Sequence, residues 1–162
     1  EAQLTYASGG FTGWLGALSQ TSDSVAGSID SEGVSYGLKV KSGGFSAHVS
    51  GYDGEGLGLL IGPADGSALG AAANIAVGGD EVDSSGLLTQ VSYTAGKNRF
   101  VLSRGESEIE TAGVVTTELE NQTVALFHSV NSVLTIAAEY SKTELNRTEE
   151  VDTVAIGAVI NF

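Results

Sequence analysis

Three basic residues, two histidines and one acidic run are the side chains of this sequence whose types could support chemistry. His48 and His128 are the only histidines, and neither stands at a spacing from a serine or carboxylate that suggests a catalytic triad or a metal site. Asp80-Glu81-Val82-Asp83 offers oxygen ligands suited to a hard cation such as Ca²⁺. Asp80, Glu81 and Asp83 lack the glycine and glutamate positions of a defined calcium loop, so the expectation is a solvated connection and no metal. Cysteine is absent, which removes thiolate catalysis, disulfides and Cys-ligated zinc. No convergent catalytic set emerges, and neither an enzyme nor a bound cofactor is expected. The basic residues Lys39, Lys41 and Arg99 gain meaning only from the elements that carry them.

The balance of 7 Lys and Arg against 20 Asp and Glu gives a net charge of -13, which repels polyanions and argues against a nucleic-acid partner. Glycine is abundant at 23 residues, but 41% hydrophobic residues argue against disorder. No stretch approaches the roughly 18 apolar residues of a transmembrane helix. The start, Glu1-Ala2-Gln3-Leu4, is neither an initiator Met nor a signal peptide, and processing or truncation is expected to have removed the true start. Apolar residues alternate with small polar ones, the pattern of strands with one greasy and one wet face.

The alternation predicts an all-β chain with nine strands near 2–8, 11–19, 34–42, 44–59, 86–95, 99–106, 120–130, 133–143 and 151–162. Short turns at Ser8-Gly9-Gly10, Ser42-Gly43, Gly96-Lys97-Asn98 and Asn131-Ser132 alternate with long connections at 20–33, 60–85, 107–119 and 144–150. Sorting of connection length by parity is expected of a membrane barrel, with turns at one rim and loops at the other, and not of a soluble sandwich. The segment 71–77 within 60–85 could instead add a strand, and parity then requires two extra crossings there or none.

Period-two register places Val34, Tyr36, Leu38 and Val40 on one face of their strand, and Val154, Ile156, Ala158, Ile160 and Phe162 on one face of the last. The opposite faces carry Lys39, Lys41, His48, Gln90, Arg99 and Glu139, the candidate pore-lining residues. All five phenylalanines lie beside the short-turn edge. Phe11, Phe45, Phe100, Phe127 and Phe162 are therefore expected in a lipid-facing girdle. Tyr6 and Tyr93 are expected to pair with Phe11 and Phe100 across their hairpins.

The closing run Val154-Ala155-Ile156-Gly157-Ala158-Val159-Ile160-Asn161-Phe162 resembles the C-terminal signal by which Gram-negative outer-membrane barrels are read by their insertion machinery. Leu134-Thr135-Ile136-Ala137-Ala138-Glu139-Tyr140 resembles the penultimate strand of general porins. Gly51-Tyr52-Asp53-Gly54-Glu55-Gly56-Leu57-Gly58 resembles a glycine-rich strand end in gammaproteobacterial porins, and Gln90-Val91-Ser92-Tyr93-Thr94-Ala95-Gly96 follows in the expected order.

The resemblance implies a trimeric, 16-stranded antiparallel transmembrane β-barrel in the outer membrane, passing small hydrophilic solutes. At roughly 16 residues per strand and connection, 162 residues supply about nine or ten crossings, so 1–162 is expected to be a single C-terminal barrel portion with the preceding strands absent. Its expected partners are outer-membrane lipid, lipopolysaccharide, two further copies and the insertion machinery. The acidic connections predict a weak cation preference that fades with salt. A small non-channel barrel serving as adhesin or structural anchor is the alternative.

Overall fold

The computed structural model of the chain describes residues 1–24, 27–57, 76–77 and 80–160. Nine long strands form one antiparallel sheet: β1 (Ala2–Ser8), β2 (Phe11–Ser24), β3 (Gly27–Ser42), β4 (Phe45–Glu55), β7 (Asp83–Ala95), β8 (Asn98–Thr111), β9 (Val114–Ser129), β10 (Leu134–Leu145) and β11 (Glu149–Ile160). Each pairs with its sequential neighbour, so every connection in the sheet is a hairpin or, between β4 and β7, a longer return. Two short strands, β5 (Ala76–Val77) and β6 (Asp80–Glu81), pair with each other outside this sheet.

Tight turns close the near end. Gly9, Gly43 and Gly96 adopt φ of 58°, 57° and 59°, a left-handed conformation that residues with a Cβ adopt only at a cost. The far end differs from the expectation of long loops. Segments 20–33, 107–119 and 144–150 are mostly strand, with the ladders running to Ser24↔Gly27, Thr111↔Val114 and Leu145↔Glu149. Apolar residues are too sparse in these stretches to show a sustained alternation, and a hairpin standing in water does not require one. Strand β4 pairs directly with β7, so no further strand stands between them in the sheet. Within 71–77 only Ala76 and Val77 are described, as β5.

The sheet is curved, and burial shows which way. Ser92, Val101 and Ala125 are 7%, 6% and 5% exposed, whereas their neighbours Val91, Leu102 and Val124 on the other face are 42%, 53% and 54% exposed. Side chains crowd on the inside of a curved sheet, so the polar face is concave and the apolar face convex. Among the described residues the fully buried apolar side chains Val82, Ile109 and Leu119 cluster at the far end, beside Tyr52, whose hydroxyl lies 3.2 Å from that of Ser107.

Strand tilt is legible in the register. On β3 the apolar run Val34–Val40 is centred on Gly37, which maps through Ser50, Leu88, Gly105, Asn121 and Thr143 to Val151 on β11. The apolar run of β11, Val154–Ile160, is centred on Gly157, six residues further toward the near end after six strand steps. One residue per step is about 3.3 Å of rise against about 4.8 Å of strand spacing, a tilt of about 35°. That is the inclination at which strands close into barrels, and it keeps the apolar band level around the wall.

Candidate pore wall

Residues on one register row of the concave face are polar from β2 to β11: Thr12, Lys39, His48, Gln90, Ser103, Thr123, Ser141 and Thr153. The row toward the near end holds Lys41, Ser46, Ser92, Val101, Ala125 and Glu139. Arg99 stands one row nearer the turns, opposite Thr94 and Phe127. The six candidate pore-lining residues thus share the concave face. An unbroken polar row on that face gives water a hydrogen-bonding surface through the height at which the opposite face is greasy.

Phe11, Phe45 and Phe100 stand on the convex face, exposed, near the tight turns. Phe127 does not join them. Its register partner Arg99 places it on the concave face, with the guanidinium carbon 5.7 Å from the ring centroid in a cation–π contact. Phe162 lies outside the described residues. Tyr93 pairs with Phe100 as expected, whereas Tyr6 is opposite Gly13 and reaches Phe11 only diagonally, with ring centroids 6.2 Å apart.

Three aromatic–glycine pairs escape a reading of single strands. Trp14 lies over its partner Gly37, Tyr36 over Gly51 and Tyr52 over Gly86, and in each pair a Cβ on the glycine would collide with the ring. The aromatic covers the backbone that glycine leaves bare. Trp14 and His48 also stack, with ring centroids 5.5 Å apart on the concave side. The available signal was the set of glycines inside otherwise alternating strands, but the partner becomes visible only with the register.

Two rows of acidic residues sit above the apolar band on the convex face. Glu106, Glu120, Glu144 and Glu150 face one another in one register row, and Glu32, Glu55, Asp83 and Glu110 in another. Arg104 and Lys142 partly neutralise the first row, Lys142 Nζ lying 2.6 Å from Glu144 and 3.0 Å from Glu150. In the far-end turn Arg147 pairs with Glu118 at 2.9 Å, and the surrounding carboxylates push its pKa up. Asp83 is exposed, while the side chains of Asp80 and Glu81 lie outside the described residues. Among the described residues no three acidic or histidine side chains are arranged to hold a metal ion.

No family model matches the chain, and no curated protein matches it. Among solved structures it is similar to a porin refined at 1.8 Å, with a TM-score of 0.70 and 17% identity over 97% of this chain. The chain spans 49% of the length of that porin. At this identity the likeness speaks for the fold and not for a gammaproteobacterial subtype: the nine strands have the arrangement of a porin-type antiparallel β-barrel wall.

Proposed function

We propose that this chain forms part of the wall of a passive diffusion pore in an outer membrane, admitting small hydrophilic solutes and performing no catalysis. The observation that carries the reading is the polar row from Thr12 to Thr153 on the concave face, backed by the apolar convex band. A wall of that construction separates water from lipid. The same reading places lipid and lipopolysaccharide against the convex face, further copies in a homotrimer, and the insertion machinery at the closing strand. Strands beyond these nine complete the barrel in this proposal.

A weak cation preference was expected from the acidic connections. On the described strands most of their carboxylates, Glu149 apart, are mounted on the convex side, so they act on the mouth only at a distance and are screened within about 8 Å at physiological salt. Selectivity in this reading is set by the concave charges, Lys39, Lys41 and Arg99 against Glu139 and Glu149 on the described strands.

The buried cluster of Val82, Ile109 and Leu119 favours a second reading, a barrel blocked at its far end and acting as an anchor. Planar-bilayer recording of the full protein decides between the two. Stepwise, water-filled conductance supports the pore, and insertion without conductance supports the blocked barrel.

A further inference from the structure

Seven lysines and arginines serve a chain with 20 acidic residues, so each cation has a surplus of candidate partners. Arg104, Lys142 and Arg147 are ion-paired, and the Lys97 ammonium donates to the Val130 carbonyl at 2.9 Å. The remaining three, Lys39, Lys41 and Arg99, have no carboxylate within ion-pair distance among the described residues. They are instead gathered on the concave face, where all three line one pocket of about 300 Å³. Ser46, Ser92 and Thr94 line it as well, and no acidic residue does.

Like charges brought together repel, and each would lower its energy by turning to a carboxylate. Holding three of them around one volume, with hydroxyl donors between, makes a receptor for an anion with several oxygens. The register supplies the geometry. Lys41 is opposite Ser46, which is opposite Ser92, while Arg99 is opposite Thr94. Lys41 and Arg99 therefore stand three strands and two residues apart, about 16 Å at the backbone, a span that the two long side chains shorten by reaching inward to line the same pocket.

We propose that the near-end concave wall carries a binding subsite for multivalent oxyanions of the phosphate class, formed by Lys39, Lys41 and Arg99 with Ser46, Ser92 and Thr94. A chloride ion would satisfy one or two of these donors, whereas phosphate offers oxygens to all of them. The subsite rests on the concave face being wet, as the pore reading requires, and its test separates the two claims.

The full protein, folded in detergent, is titrated with inorganic phosphate by calorimetry, and the same protein in planar bilayers is recorded in dilute KCl with and without phosphate. The expected results are saturable binding and a partial block of current. Both should weaken at least about tenfold in the K39Q/K41Q/R99Q variant and in graded fashion in K41Q and R99Q alone, which cover the case in which the triple variant fails to fold. A conducting protein that neither binds nor is blocked by phosphate overturns the subsite and leaves the pore standing. A protein that binds phosphate but does not conduct supports the subsite and overturns the pore. Binding that survives all the charge variants overturns the assignment to these residues.

Discussion

The guanidinium of Arg104 on β8 lies 3.0 Å from the carboxylate of Glu120 on β9, on the convex face directly beyond the apolar pair Leu102 and Val124. Its second carboxylate, Glu106, is 3.7 Å away on its own strand. Both partners stand on the far-end side of Arg104, so the side chain is drawn out of the apolar band toward the acidic belt, its stem lying along apolar surface and its charge beyond it.

Arg104→Leu should therefore lengthen the apolar band of β8 and stabilise the inserted protein, by up to about 1 kcal/mol for a site near the interface. Glu120→Gln should destabilise it by a similar amount, because Arg104 loses its nearer partner. Urea unfolding in lipid vesicles measures both. Stabilisation by Glu120→Gln would show that the pair does not hold Arg104.

Gly37→Ala should disturb the concave wall at Trp14. The added Cβ would overlap the indole, and neither ring nor strand can yield freely, so a cost of about 1–3 kcal/mol is expected. Trp14 is the only tryptophan of these 162 residues, so with any tryptophan elsewhere replaced its emission reports this site. A shifted emission spectrum with lowered stability is the expected result, and an unchanged spectrum would place the indole elsewhere.

At the far-end turn of β8 and β9, Ala112 and Gly113 have φ of 52° and 79°, the two positive values of a type I′ hairpin. Alanine is strained there. Ala112→Asn should stabilise by about 0.5–1 kcal/mol, read as a higher urea midpoint with unchanged slope. A lower midpoint would contradict the turn.

Much of the fold was legible because one face of each strand is apolar. The period of two in Val34–Val40 and Val154–Ile160 fixed inside against outside, and the glycine turns fixed the near-end hairpins. What was hidden depends on relations between strands. Glu106, Glu108 and Glu110 read as a loop because their face is charged and the residues alternating with them, Ser107 and Ile109, give too short an apolar signal to mark a strand. Phe127 read as a girdle residue from its closeness to the turn, yet its parity along β9 sets it on the side of Arg99. The pairing of Trp14 with Gly37 required the register of β2 on β3, and the gathering of Lys39, Lys41 and Arg99 around one pocket required it across the four strands from β3 to β8.

The central claim is that the concave face meets water and the convex face meets lipid. These 162 residues contain no cysteine, so single cysteines can be placed in their strands in the full protein, with any cysteine elsewhere replaced, and challenged in vesicles with a water-soluble, membrane-impermeant thiol reagent. The account predicts labelling at Ser103, Thr123 and Ser141, and protection at Leu102, Val124 and Tyr140, which alternate with them on β8, β9 and β10. Labelling of Leu102, Val124 and Tyr140 with protection of the other three would contradict it.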